Sequence, residues 1–287
     1  MKLLSLFFVT VFGTPVVLWH GMGDNCCHSF SMGAVSKMIR EKVETVNYVK
    51  SLMIGDSEAS DTSNGFLMPV FQQVELACQQ IQADPELQEG YHAIGFSQGG
   101  QFLRALAQTC PSPPMKNLIS IGGQHQGIFG FPKCPNGSSI CEYVRKMLNW
   151  GAYSSFIQSH LVQAQYWHDP LQEEEYKQYS QFIAVVNNER EFNQTFKENL
   201  EKLENLVLVK FAKDTMVVPK ESSHFGYYAP GQDSDILAYN DTELFTEDRI
   251  GLKTLDTAGK VHFFTFAGDH LRFTDEEFMQ NLAQFLP

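Results

Sequence analysis

A serine stands between two glycines in Gly95-Phe96-Ser97-Gln98-Gly99, with Asp214 and His270 downstream of it. A hydroxyl is a poor nucleophile until a base takes its proton, and the base needs an acid to hold it in the right tautomer. Ser97, Asp214 and His270 supply these types in the chain order that a nucleophile elbow between a strand and a helix uses. The chemistry predicted is acyl transfer: attack by Ser97 on a carbonyl, with His270 as base and Asp214 as its orienting acid. The oxyanion that develops needs two backbone donors. The Gln98 N–H follows the nucleophile directly, and the Met22 N–H lies in the Gly-containing run His20-Gly21-Met22-Gly23-Asp24. A match to G-x-S-x-G alone arises by chance about 0.1 times in a chain of this length. The flanking elements therefore have to decide it.

Tyr91 to Phe96 is a short apolar strand, and Gln98 to Gln108 has helical spacing with Phe102, Leu103 and Leu106 inward. Asn117 to Gly123 is another strand, which makes a βαβ unit around Ser97 and predicts a parallel sheet. Upstream, Pro15 to Asp24 reads as a strand running into a loop, Ser29 to Lys42 as a helix, and Tyr48 to Ile54 as a strand. Gly55 to Gly65 is polar and reads as a loop, whereas Phe66 to Gln82 is helical, with Phe66, Val70, Val74 and Ala77 on one stripe. From Gln124 to about Asn205 the chain is rich in Gln, Tyr, Glu and Trp and largely helical in period, with Phe182 to Asn187 as a possible strand. It reads as an insertion at one end of the sheet. Strands resume at Asn205–Ala212 and Lys260–Ala267, and a last helix, Asp275–Phe285, has Thr274 as N-cap. Asp214 and His270 each fall just after one of these strands. His125 precedes the acid, His168 lies in the insertion, and His262 falls within a strand. Asp269 adjoins His270, and neighbouring side chains diverge.

The 287 residues, 43% of them hydrophobic, suit one large α/β domain or one that carries an insertion. With 21 basic and 33 acidic residues the net charge is −12. That argues against a nucleic-acid partner and against adsorption to anionic lipid. The start, MKLLSLFFVTVFG, is an apolar run too short to span a bilayer, with Val11 and Gly13 at the −3 and −1 positions of a cleavage site. Residues 1–13 read as a secretory signal, with a buried N-terminal strand as the alternative. No other segment reaches transmembrane length. Six cysteines agree with an oxidising compartment, though six permit 15 full pairings. Cys134 and Cys141 enclose a short loop suited to a local bridge; Cys26 and Cys27 are adjacent, so separate partners are the less strained alternative. Sequons stand at Asn136, Asn193 and Asn240. No metal signature is present, and the expected chemistry needs no cofactor.

The stretches LWHGMGDNCC, GFSQGGQFLRALAQTCPSPPMKNLIS, GGQHQGIFG, AQYWHDP, TEDRIGLKTLD and GDHL together resemble the lysosomal palmitoyl-protein thioesterase family, from about Pro15 to Pro287. The resemblance implies an α/β-hydrolase fold with a mostly parallel sheet, residues 14–123 and 206–287. It implies a largely helical insertion, residues 124–205, over the C-terminal ends of the strands, shaping an acyl-binding region. It implies Ser97 as nucleophile, Asp214 as acid, His270 as base, and Met22 and Gln98 as oxyanion donors. Disulfides Cys26–Cys27, Cys78–Cys110 and Cys134–Cys141 are implied too. The implied substrates are fatty acyl thioesters and S-acylated proteins or peptides, and the implied route is through the secretory pathway to the lysosome. The chain departs from the family in lacking the sequon often found beside the acid, and only Asn193 fits a familiar glycan position. The residues themselves reach serine hydrolase and leave ester against thioester open. Trp150, Phe156, Ile157, Leu161, Trp167 and Phe182 are candidates for the acyl groove, or else ordinary core. A secreted carboxylesterase or lipase is the competing reading, and a non-enzymatic lipid carrier the more distant one. His270 has to be neutral to act, so the rate is expected to rise from lysosomal acidity toward neutrality.

Overall fold

The structure is a computed structural model that describes residues 13–130, 146–148 and 151–287. Residues 1–12, Cys134, Asn136, Cys141 and Trp150 lie outside the described residues. Six strands form the central sheet: β1 (Val16–Trp19), β2 (Val49–Ser51), β3 (Tyr91–Phe96), β4 (Met115–Ile121), β5 (Asn205–Phe211) and β8 (Val261–Phe266). A separate antiparallel pair, β6 (Tyr227–Tyr228) and β7 (Ile236–Leu237), stands apart. The order is β2-β1-β3-β4-β5-β8, with every neighbouring pair parallel.

Both faces of the sheet are covered, so strand residues of either parity are apolar. Leu18, Ile94, Ile119 and Val207 sit side by side in register and pack under α1 (Met32–Lys42) and the last helix, Asp275–Asn281. Val17, Ala93, Leu118 and Leu206 point the other way, toward α3 (Val70–Gln82), α4 (Gln98–Thr109) and the insertion. Thr274 caps the last helix in a capping box with Glu277, as expected. Cys78–Cys110 ties α3 to the end of α4.

Three expectations need correction. Gly55–Gly65 is not a loop: α2 (Glu58–Leu67) runs through it, started by a capping box between Ser57 and Ser60. Its inward positions are Asp61, Gly65 and Phe66, so no apolar stripe advertises it. The helix expected over Phe66–Gln82 is accordingly two helices, broken at Met68-Pro69, although Phe66, Val70, Val74 and Ala77 are all buried. Phe182–Asn187 is not a strand but holds a short buried helix, Ile183–Val186. A brief apolar run is equally compatible with either state. The rest of the described insertion is a series of short helices, Ser155–His160, Val162–Gln165, Glu173–Tyr179 and Gln194–Leu200.

Candidate active site

Ser97 ends β3 and is the N-cap of α4, with φ 53° and ψ −124°. This strained conformation survives because glycine removes every obstacle around it. A Cβ on Gly95 would come within 2.5 Å of the Gly100 backbone, and one on Gly99 within 2.3 Å of the Trp19 carbonyl oxygen. One on Gly100 would meet Ser120 Oγ at 2.2 Å. The three glycines of G-F-S-Q-G-G are thus a steric requirement of the turn.

The loops after β5 and β8 bring the other two groups to the same edge of the sheet. Ser97 Oγ lies 3.0 Å from His270 Nε2, and His270 Nδ1 lies 2.7 Å from Asp214 Oδ2. The Asp214 side chain is fully buried, and its Oδ1 accepts the Met216 and Val217 N–H groups at 2.8 and 2.9 Å. Those bonds fix the carboxylate so that Oδ2 faces the imidazole. Gly122, at φ +67°, leaves room for the ring: a Cβ there would be 3.2 Å from His270 Cε1. Asp269 turns away, accepting from the Thr215 and His270 backbone N–H groups. The His270 N–H, with Thr215 adding to it, holds this exposed carboxyl below the usual carboxylate range.

The loop after β1 lies over the nucleophile. A Cβ on Gly21 would stand 3.1 Å from Ser97 Cβ, and Met22 lines the same cleft as Ser97 and His270. Among the described residues no protein acceptor takes the Met22 or the Gln98 N–H. The Gln98 side chain is engaged behind them, donating to the Gly65 carbonyl and accepting from Tyr166 Oη. Cys26 and Cys27, just beyond Met22, are bonded to each other. The adjacent pair therefore does not take separate partners.

Ser97 opens into a cleft of about 470 Å³ with apolar walls from α1 and the loop after β8, among them Met32, Val35, Met38, Leu271 and Phe273. Among the described residues, none of the insertion candidates for an acyl groove lines it. Ile157, Leu161 and Phe182 are core, Phe156 is 61% exposed, and Trp167 walls a second cleft of about 570 Å³ with Phe129, Leu148, Ala152 and Tyr153. The other three histidines weighed from the sequence are engaged in contacts of their own. His125 is bonded to Ser120 Oγ, and burial drives its pKa well down; His168 stacks between Tyr176 and Tyr227; His262 bonds Asn205. Asn193 and Asn240 are both exposed. Among the described residues no group of three or more His, Cys, Asp or Glu could hold a metal ion. Two neighbours of the site escaped the sequence reading: Asp61, hidden in a polar segment with no period, and His20, whose place before Gly21 was its only mark.

The family model described as palmitoyl protein thioesterase matches residues 15–270. Palmitoyl-protein thioesterase 1 of Caenorhabditis elegans is 55% identical over 90% of this chain and 86% of that protein. A palmitoyl-protein thioesterase-dolichyl pyrophosphate phosphatase fusion from Schizosaccharomyces pombe is 36% identical over 90% of this chain, which spans 41% of the fusion. A protein of Mus musculus named lysosomal thioesterase PPT2 is 29% identical over 88% of this chain and 80% of its own length.

Proposed function

The chain belongs to the palmitoyl protein thioesterase family, and from that premise we propose that Ser97, His270 and Asp214 hydrolyse the thioester between a long-chain fatty acyl group, palmitate foremost, and cysteine in S-acylated proteins and peptides. It is a hydrolase with the α/β-hydrolase fold, in a thioesterase family. The observation that supports these three residues is the unbroken chain of hydrogen bonds from Ser97 Oγ through His270 to the buried Asp214. Neutral His270 takes the Ser97 proton as Oγ attacks the acyl carbonyl. The Met22 and Gln98 N–H groups receive the oxyanion. The C–S bond then breaks, His270 returns its proton to the departing thiolate, and a water activated by the same ring cleaves the acyl-enzyme. No cofactor enters these steps.

The acyl chain is assigned to the insertion side. Met216 walls the Ser97 cleft, and two residues on the Val218 carbonyl accepts the N–H of Phe129, which walls the second cleft, at 2.7 Å. The α1-side cleft is left for the cysteine half of the thioester. We further propose a route through the secretory pathway to the lysosome. The leader-like start, the exposed sequons and the two disulfides support it. Among the described residues no helix is long and apolar enough to cross a membrane.

The test is paired hydrolysis of a palmitoyl thioester and its oxygen-ester analogue by wild type and Ser97→Ala, secreted from a eukaryotic host, with intact mass recorded. Strong thioester preference is expected, with a transient acyl adduct on wild type and a loss of about 10⁴-fold or more in the variant. Comparable oxygen-ester turnover would instead make the protein a carboxylesterase or lipase, and no turnover of either a lipid-binding protein. The same masses report whether residues 1–13 are removed and the sequons glycosylated; an intact, sugar-free chain would overturn the proposed route.

A further inference from the structure

Beneath the loop that carries Met22 lies a buried ion pair that the triad does not use. Asp61, on α2, has a fully buried carboxylate. Its Oδ1 accepts from the Ile54 N–H at 2.7 Å and faces His20 Nε2 at 3.1 Å, while Oδ2 accepts from the Cys26 N–H at 2.9 Å. The other ring nitrogen, His20 Nδ1, lies 2.8 Å from the Gly21 carbonyl oxygen. Both nitrogens of this buried ring thus face oxygens that can only accept, a carboxylate and a carbonyl. Only the imidazolium has a proton for each.

The carbonyl that His20 holds belongs to the same peptide unit as the Met22 N–H. A trans peptide is planar, so its C=O and N–H point in opposite directions. Fixing the oxygen on the His20 side turns the N–H toward Ser97, where Gly21 packs and where no protein acceptor meets it. A positive charge on the oxygen also draws electron density through the amide and strengthens the N–H as a donor. The Asp24 N–H reaches the same oxygen at 3.3 Å, so the turn has a second tie but no second charge.

Resting on the reading of Ser97 as nucleophile and Met22 as oxyanion donor, we propose that His20, held as an imidazolium by Asp61, is the positioning residue of the oxyanion hole. It fixes and polarises the Gly21–Met22 peptide. The ionisable groups that act on the ring are Asp61 from α2 and Asp24 from its own loop. Burial works to lower the pKa of His20, but the Asp61 hydrogen bond and charge, the Gly21 carbonyl and Asp24 together raise it above the ordinary histidine value. The charged form therefore persists to higher pH than in an ordinary histidine and is lost as pH rises through the raised folded-state value. Turnover should fall on that alkaline side.

The experiment compares wild type, His20→Gln, Asp61→Asn and Ser97→Ala on a palmitoyl thioester across pH, with thermal melting of each. His20→Gln is expected to lower kcat roughly 10- to 100-fold, below the loss of an entire oxyanion donor. KM should change little and the alkaline fall should disappear. A residue that merely props the fold would move the melting temperature and leave the shape of the pH profile alone. Wild-type kcat in His20→Gln, or an unchanged alkaline limb, would overturn the proposal. Should both neutral variants fail to fold, nitrogen-15 shifts of the wild-type His20 ring decide: two protonated nitrogens at neutral pH support it, and a neutral ring refutes it. If Ser97→Ala retains activity, the reading of the site fails; if it is inactive while His20→Gln is normal, only this inference does.

Discussion

The sheet and the described part of the segment between β4 and β5 both contribute to the core, yet they differ in what they bury. β1, β3 and β5 present Val, Leu, Ile and Phe to both covered faces, and β4 adds Leu118, Ile119 and Ile121. The described insertion adds apolar residues such as Ile157, Leu161 and Phe182 to the same core, but also buries Gln158, Gln163, Gln165, His168, Asn187 and Asn188. Gln158 donates to the Ala152 and Ala164 carbonyls and accepts from the Gln181 N–H. His168 bridges the Gln126 carbonyl and Glu173. Arg104 of α4 reaches across with a fully buried guanidinium that donates to Asn187 Oδ1 at 2.8 Å and to the His125 and Val186 carbonyls. Burial pulls its pKa down to about 10, still charged at any working pH. Apolar area is non-directional and tolerates relaxation, whereas a buried polar network holds one arrangement and penalises the loss of any member. The sheet thus rests on apolar packing, and the insertion adds to the shared core a network of buried hydrogen bonds.

Three changes would break or sharpen that contrast. Ile119→Ala, in the middle of β4, is expected to cost about 2–5 kcal/mol. Denaturant unfolding should show the loss, with amide protection falling in sheet and insertion alike. Arg104→Met removes a buried donor while keeping an apolar stem, stranding acceptors worth about 1–3 kcal/mol. Here hydrogen exchange should quicken first in residues 183–188; equal loosening of β3 and β4 would erase the distinction. Glu175→Trp, on an exposed wall of the insertion-side cleft, should leave stability within about 0.5 kcal/mol. It should lower the rate on palmitoyl relative to octanoyl thioester several-fold, and an unchanged ratio would remove the acyl chain from that cleft.

What could be read in advance follows the same division. Ser97, Asp214 and His270 were legible because each follows a strand with an unmistakable apolar run, and because glycine is the only residue the turn around Ser97 admits. Within the insertion, helical content was visible but placement was not, since glutamine and asparagine chosen for hydrogen-bond geometry leave no period. Hence Phe182–Asn187 reads in sequence as a possible strand, and Trp167 and Phe156 do not sort there into cleft, core or surface. α2 was missed for a related reason: its inward face carries Asp61 and Gly65, residues that also mark loops. The pairing of Cys26 with Cys27 came from family likeness, not from geometry, which argued the other way.

The register of β4 with β5 bears on how such a chain can carry so long an insertion at all. Asn117 pairs with Asn205, so this one crossover encloses the whole insertion. Closing a loop costs entropy that grows only with the logarithm of its length, about 0.6 kcal/mol per doubling. Lengthening an ordinary crossover of roughly 20 residues to span residues 122–204 is about two doublings, so it adds on the order of 1 kcal/mol. That is comparable to a single buried methylene, about 0.8 kcal/mol. The frame is therefore almost indifferent to how much chain is threaded between these two strands. A segment there can be lengthened, shortened or exchanged while the strands that carry Ser97, Asp214 and His270 keep their register.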